Sequence, residues 1–214
     1  MRRLLIPALL ASPLAALAQD RPLLEPQRDV AVTYRLLGEG APSQQIGWSW
    51  LAAERILRSD MPDGSGYALN DRNTGSLRVV MEARRTVVTM PRNALPTPGM
   101  QASPTARFTQ AGTATVAGQP CTNWRIQDQG TAVVSCFTAD GVLLRTEGAN
   151  NGRTAGLEAV SVSYAAQDAA RFHAPAGYRA VSLPEGARPG GPGPGGTAPD
   201  SAAPGGTAGT APRR

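Results

Sequence analysis

Turn signals recur about every ten residues between Gly66 and Met90, and this spacing limits the possible fold more than any other feature of the chain. Short apolar and β-branched runs alternate there with turns at 73–75 and 82–85. Such spacing is typical of antiparallel strands in a sandwich, barrel or meander. Upstream, residues 29–37 alternate apolar and polar side chains with a period of two, which predicts a half-buried strand. We therefore expect an all-β fold.

Two other segments are less regular. Residues 46–57, IGWSWLAAERIL, fit a strand with both tryptophans on one face, but they also fit a short helix that brings Trp50, Ala53 and Leu57 together. We favour strands. Residues 91–104 contain several prolines and predict a long loop that joins two segments of sheet.

The second half of the chain predicts hairpins that define one core face. With a turn centred on residues 128 and 129, Cys121 lies opposite Cys136, and Trp124 lies opposite Val133. Side chains two residues apart share a face of a strand. The predicted core face consists of Trp124, Ile126, Val133, Phe137 and Leu144.

The next hairpin raises a question about which face its side chains occupy. A turn at Asn151-Gly152 places Val160, Val162 and Tyr164 on the face opposite that core. A bulge, a different loop length or strong curvature of the sheet must intervene, and the sequence does not choose among the three.

Both ends of the chain have the composition of segments outside the folded domain. Residues 1–18 begin with two arginines, continue with leucine, isoleucine and alanine, and predict a secretory signal peptide cleaved after Ala18. Its apolar stretch is shorter than the roughly 20 residues of a membrane span. Residues 188–214 are mostly proline, glycine and alanine and predict a disordered tail. We expect one β domain over residues 19–187, periplasmic or secreted, with no transmembrane span in the mature chain.

The positive charge lies mainly at the two ends. The chain has 21 basic residues, all of them arginine, and 16 acidic residues, which gives a net charge of +5. Arginines at positions 2, 3, 188, 213 and 214 fall in the expected leader and tail, and the remaining body is nearly neutral. Nucleic-acid binding needs a basic surface. We therefore expect no nucleic-acid partner.

The two cysteines predict a structural disulfide. An even number of cysteines in an exported chain most simply forms a disulfide framework. Redox pairs usually have the spacing Cys-x-x-Cys at the start of a helix, and Cys121 and Cys136 do not have it.

The sequence presents no catalytic or metal-binding motif. His173 is the only histidine, and no nucleophile motif accompanies it. Asp60, Asp63 and Asp71 match no calcium loop, and the last two stand in turn signals. We expect no enzyme activity, no cofactor and no metal. The competing hypothesis of an envelope hydrolase needs two of these carboxylates in one cleft, one of them with a raised pKa.

Several stretches of the chain resemble a known family. The strand DVAVTYRLL, the hairpin GYALNDRNTGSLRVVM and the strand TVVTMP resemble the periplasmic half-barrels similar to the lipoprotein carriers LolA and LolB. The stretches GTATVAGQPC, NWRI, CFTADGVLLR and ARFHAPAGY look like a related bacterial family of unknown function. The resemblance covers residues 30–178 and implies a strongly curved antiparallel sheet, a half-open barrel, with at most a short helix or loop as lid. In the carriers the apolar hollow of this sheet holds lipoprotein acyl chains.

The leading functional hypothesis is a non-enzymatic periplasmic binding module that shelters an apolar or lipidated ligand. Ligand sites are concave and mostly apolar, and the predicted lining residues are Tyr34, Trp48, Trp50, Val79 and Met81. Ordinary core packing is the favoured alternative for the two tryptophans. The expected partner is a lipid, an acyl chain or a lipoprotein, and the chain is expected to be monomeric. A structural or interaction protein that uses sheet edges or the tail is the second hypothesis.

Overall fold

The computed structural model describes residues 20–38, 40, 45–90, 102–150 and 153–182, which form twelve strands and one short 3-10 helix. The strands are β1 (Val30–Gly38), β2 (Gln45–Leu51), β3 (Ile56–Asp60), β4 (Gly66–Asp71), β5 (Leu77–Met81), β6 (Thr86–Met90), β7 (Arg107–Val116), β8 (Gln119–Asp128), β9 (Thr131–Phe137), β10 (Leu143–Asn150), β11 (Arg153–Ser163) and β12 (Arg179–Ser182), and the helix is Ala169–Phe172. The predicted signal peptide, the predicted tail and most of the loop 91–104 lie outside the described residues.

All twelve strands belong to one sheet in the order β12-β6-β5-β4-β3-β2-β1-β11-β10-β9-β8-β7. Neighbouring strands are antiparallel except β12, which runs parallel to β6. Strand β7 lies close to β11 although three strands separate them in the sheet, so the sheet curls strongly. It does not close into a barrel. The predicted all-β fold with a curved, half-open sheet is confirmed.

Residues 46–57 form most of β2, a turn and the start of β3, so the favoured interpretation of this segment is confirmed. The two tryptophans of β2 lie opposite Val32 and Val30 of β1. The turn at residues 52–55 ends with Arg55 in the left-handed region, with φ of 54°. A helix here would remove the central strand pair of the sheet.

A two-residue turn joins β8 to β9 and corrects the predicted register. Gln129 and Gly130 both have left-handed backbone angles, with φ of 47° and 81°. This is the geometry of a type I′ turn, whose twist matches that of a hairpin. Asp128 therefore pairs with Thr131. The predicted centre at residues 128 and 129 is wrong, because the glycine that favours the second left-handed position is residue 130.

The corrected register shifts each pair of the hairpin by two residues. Cys136 lies opposite Asn123 rather than Cys121, and the predicted pairing of Trp124 with Val133 is wrong for the same reason. A shift of two leaves every side chain on its own face. The predicted core face is therefore confirmed, since all its residues belong to or pack against one hydrophobic cluster. The predicted disulfide is also present and runs diagonally across the hairpin, with Cα atoms 5.5 Å apart.

A β-bulge in β11 explains how side chains beyond Val160 return to the core face of the sheet. Tyr34 of β1 pairs with Ala159. The preceding residue, Thr33, pairs with Ser161, so Val160 has no opposite residue in β1. The bulge turns Val160 outward, where it is 40% exposed, and lets the residues on both sides of it face the core. Of the three alternatives, the structure adopts the bulge.

The largest hydrophobic cluster, the main core, collects side chains from strands that are far apart in the sheet. Its buried members are Val30, Val32, Tyr34, Trp50, Leu57, Val116, Cys121, Trp124, Ile126, Cys136, Phe137, Val142, Leu143, Leu144, Leu157 and Ala159. Only a curled sheet brings β2 and β8 together in this way. Two smaller clusters involve β2 to β6, and Phe172 of the 3-10 helix is buried in one of them.

A buried hydrogen bond links β1 to β10 across the intervening β11. The hydroxyl of Tyr34 donates to the carbonyl oxygen of Leu143 at 2.6 Å. Burial raises the pKa of Tyr34, so this hydroxyl stays a neutral donor. The bond ties together two strands that are not neighbours in the sheet, which stabilises its curl.

We predict that Tyr34→Phe lowers the free energy of unfolding by about 1–3 kcal/mol, because the carbonyl oxygen of Leu143 loses its side-chain donor inside the core. Urea unfolding followed by tryptophan fluorescence measures the loss. The matched control is Tyr178→Phe, whose hydroxyl contacts Glu82 in an exposed setting and whose removal should change little. Equal losses of unfolding free energy in the two variants would contradict the stabilising role of the buried Tyr34 hydrogen bond.

Replacing both Cys121 and Cys136 with serine should lower the free energy of unfolding by about 3 kcal/mol, because the bond closes a loop of roughly 16 residues in the unfolded chain. Denaturant titration with and without a reductant measures this. The reductant should destabilise the natural chain and leave the double variant unaffected. A natural chain that is insensitive to complete reduction would contradict the prediction.

Candidate ligand groove

An open groove with a volume of about 840 Å³ lies between the tip of the β7–β8 hairpin and the β9–β10 turn. Small-ligand sites usually measure about 300–1,000 Å³. The groove is lined by Arg28, Thr113, Ala114, Thr115, Gln119, Pro120, Cys121, Thr122, Thr138, Ala139, Asp140 and Tyr164.

The β7–β8 hairpin forms one wall because its turn is tight. Ala117 and Gly118 adopt left-handed angles, with φ of 49° and 74°, as a type I′ turn requires. Val116 consequently pairs with Gln119, and the two strands run side by side up to the turn. The lining residues of both strands are thereby presented together.

The groove has an apolar wall that continues into the main core. Cys121 is buried in that core, and Ala114 and Tyr164 pack against it. Most of the remaining lining consists of threonine and other polar side chains. A site with this mixture suits a ligand that has an apolar body and a polar end.

The β9–β10 turn forms the opposite wall and is fixed by its own side chains. Thr138 Oγ1 accepts a hydrogen bond from the backbone N–H of Val142 at 2.9 Å and donates to Asp140 Oδ1 at 2.5 Å. The backbone carbonyl of Asp140 accepts from the N–H of Gln27 at 3.0 Å. Asp140 therefore has both its side chain and its backbone anchored.

Arg28 connects this turn to Tyr164 at the edge of the groove. Its Nε donates to Asp140 Oδ2 at 2.9 Å, and its guanidinium carbon lies 3.7 Å from the centre of the Tyr164 ring. The Tyr164 hydroxyl donates to Asp140 Oδ1 at 3.3 Å. A cation above an aromatic face is attracted by the ring. These three side chains form one charge-balanced cluster.

The environment of Asp140 keeps its carboxylate ionised. Partial burial alone would raise the pKa, but the hydrogen bonds from Thr138 and Arg28 and the charge of Arg28 outweigh it and lower the pKa of Asp140. The hydrogen bond to Asp140 is the main cause that raises the pKa of Arg28. A carboxylate with a lowered pKa is a poor general acid near neutral pH. The cluster is therefore suited to binding and structure rather than to proton transfer.

The structure divides the five predicted lining residues between two clusters. Tyr34 and Trp50 are buried in the main core, and Trp48 packs against it with its ring centroid 4.8 Å from that of Tyr34. Val79 and Met81 belong to a separate cluster on β5 and β6. None of the five is among the residues that line the groove. Their role as ligand contacts stays a prediction.

The three aspartates of the hydrolase hypothesis do not form a catalytic pair. Asp63 accepts from the backbone and the hydroxyl of Ser65, and these bonds lower its pKa. Burial opposes the hydrogen bonds of the turn at Asp71, but they prevail and lower the pKa of Asp71 too. Asp60 is ion-paired with Arg58 at the far end of the β3–β4 hairpin from Asp71. The lowered pKa values of Asp63 and Asp71 are the opposite of the raised value that the hypothesis requires of one carboxylate in its pair.

The remaining candidate catalytic residue, His173, contacts a single carboxylate. His173 Nε2 lies 3.4 Å from a carboxylate oxygen of Glu54, beside the 3-10 helix. Within the described ranges, no group of three or more metal-ligating side chains comes together. In the same part of the chain, no helix has the length and apolarity needed to cross a membrane.

Sequence reasoning did not identify the groove. Arg28 stands before the first strand, and its contact with Asp140 joins residues 112 positions apart. Asp140 has a turn signal, Asp-Gly, but nothing in the pattern says what the turn faces. The only indication is indirect: Cys121 of the disulfide and the tip of the β7–β8 hairpin both fall in the stretch GTATVAGQPC, which contributes much of one wall.

No protein-family model matches the sequence, and no curated protein matches it. Similar solved structures include an uncharacterized conserved protein from Thermus thermophilus, with 16% identity and a TM-score of 0.52 over 73% of this chain and 91% of that one. MucB matches with 14% identity and a TM-score of 0.43 over 74% of this chain and 61% of MucB. A putative outer membrane lipoprotein-sorting protein domain from Vibrio parahaemolyticus matches with 14% identity and a TM-score of 0.38, over 68% of this chain and 89% of that one.

The observed fold is the curved, unclosed half-barrel that the sequence resemblance implies. At 16% identity, the likeness to the Thermus thermophilus protein shows the fold alone. What the half-barrel binds must be argued from its own residues.

Asp140→Asn should be less stable than the natural chain at neutral pH, and the difference should shrink in acid. The pKa of Asp140 is lowered in the folded protein, so its contribution is present above the ordinary value of 3.8 and is lost as the pH falls through the folded value. Urea unfolding of both chains at pH 7, 5 and 3 measures the difference. A stability gap that is independent of pH would contradict the assigned ionisation.

Proposed function

We propose that this protein is a non-enzymatic binding module of the bacterial cell envelope that holds an apolar or lipidated ligand against its curved sheet. The observation that carries the proposal is the groove beside the β7–β8 hairpin, whose apolar wall is continuous with the main core. Burial of apolar surface is the main favourable term in such binding. The ligand's apolar part lies against this wall, and its polar end faces the threonines.

Three further features support this proposal. The groove is large enough for a small amphiphile, and its polar groups are concentrated on hydroxyls that can donate or accept hydrogen bonds. The sequence resemblance to LolA- and LolB-like half-barrels implies the same general use of the fold. The predicted leader at residues 1–18 supports a site of action in the periplasm or outside the cell. We take the binding unit to be a single chain.

A second candidate function is an interaction module that uses the sheet edge. Strand β7 ends the strand order, and most of its ten residues are exposed. An extended peptide can add to such an edge by backbone hydrogen bonds. The two candidates differ in what they bind, because edge pairing depends on backbone groups and not on the groove wall.

A fluorescent fatty acid, cis-parinaric acid, tests the groove directly. The natural full chain should bind it, and Thr115→Phe should bind about tenfold more weakly, because the new ring occupies the groove and the loss corresponds to about 1.4 kcal/mol. The matched control is Thr109→Phe, on an exposed position of the same strand that does not line the groove.

The outcome separates the two candidates. Weaker binding only in Thr115→Phe supports the groove. An absence of saturable binding in the natural chain would reject an apolar ligand of this class and favour the edge-pairing candidate. An equal loss in both variants would mean that the probe binds to β7 without using the groove.

A further inference from the structure

Residues 20–29, here the N-terminal strap, belong to no strand yet contact both halves of the sheet. The Glu25 carboxylate pairs with Arg55 of the β2–β3 turn at 2.6 Å and with Arg72 after β4 at 3.5 Å. Toward its start, the strap places the Arg21 guanidinium 5.7 Å from the ring centre of Phe108 on β7. The strap therefore spans the distance between strands that lie far apart in the strand order.

The strap covers apolar surface. Pro22 and Pro26 are buried, and Leu24 packs against the main core. The backbone carbonyl of Glu25 lies so close to Gly141 that a Cβ atom there would be 2.4 Å from its oxygen. The glycine of the β9–β10 turn thus leaves room for the strap to pass.

Side chains supply most of the hydrogen bonds and ion pairs that hold the strap. Among the described residues, one backbone hydrogen bond outside the sheet joins it to the rest of the protein, from Gln27 to Asp140. The other polar attachments of residues 20–28 include the ion pairs of Glu25 and Arg28. Because residues 20–28 belong to no strand, the strap can detach without breaking any strand pair.

Asp29 marks the point where the detachable part ends. Its Oδ1 accepts from the N–H of Ala52 and its Oδ2 from the N–H of Gln167, both at 2.9 Å. The next residue, Val30, begins β1 and is buried in the main core. Asp29 is thus the fixed end of a hinge about which residues 20–28 can move.

We propose that the strap is a displaceable cover of the ligand site. The last ion pair of the strap, Arg28 with Asp140, forms part of the groove lining. Opening the strap uncovers the apolar surface beneath Leu24 and extends the groove along the main core, where the apolar body of an amphiphile binds. The apparent affinity then equals the affinity of the open form multiplied by the fraction of molecules that are open. This proposal rests on the function proposed above and adds the way in which access to the site is regulated.

Hydrogen exchange of the full chain without ligand tests the motion. The amide of Gln27 should exchange faster than the amides of β1, and Glu25→Gln should increase its exchange rate severalfold while leaving β1 unchanged. The matched control is Glu147→Gln, since the two carboxylate side chains are similarly exposed, 29% and 34%, and Glu147 is ion-paired within the sheet. Exchange of Gln27 at the rate of the β1 amides in every variant would overturn the proposal.

Binding of cis-parinaric acid tests the coupling to the site. Glu25 does not line the groove, so its replacement acts on the strap and not on ligand contacts. Glu25→Gln should bind the probe at least threefold more tightly than the natural chain, and Glu147→Gln should bind as the natural chain does. Equal binding by Glu25→Gln and the natural chain overturns the strap as a cover and leaves the proposed function in place. No binding by any chain overturns the proposed function, and with it the role of the strap, even where exchange shows that the strap moves.

Discussion

A single sheet has no second layer to cover its apolar face, and this constraint governs the rest of the structure. The chain meets it by curling, which brings side chains from β1, β2 and β7 to β11 into one main core. Local features maintain the curl. The bulge at Val160 lets the residues on both sides of it face the core, and the Tyr34 hydroxyl joins β1 to β10 across β11.

Because the sheet stays open, part of its apolar face must be covered by something other than a strand. The groove and the strap meet on this part of the apolar face, and the Arg28–Asp140 pair belongs to both. In our account the strap and the ligand are alternative covers of the same surface. The carboxylates of the hydrolase hypothesis are instead held by turn hydrogen bonds and an ion pair.

Local sequence patterns predict the strands, the preferred structure of residues 46–57 and the core face, because each strand has one buried side and a period of two. The register of β8 and β9 is harder to predict. A turn centred one residue later changes which residues are paired but leaves every side chain on the same face of its strand. Only the left-handed angles of Gln129 and Gly130 decide the register. Alternation also shows that Val79 is buried but not which cluster it joins. The groove and the strap depend on contacts across more than 100 residues, such as Arg28 with Asp140, which no local pattern encodes.

Native mass spectrometry of the protein, purified from the cells that produce it, tests the central claim most directly. The account predicts a near-stoichiometric lipid or acyl-chain mass on the folded protein, released on denaturation while the Cys121–Cys136 bond stays intact. A folded protein that carries no such mass, and acquires none when incubated with a lipid extract of the same cells, would contradict the claim that the half-barrel is a carrier of apolar ligands.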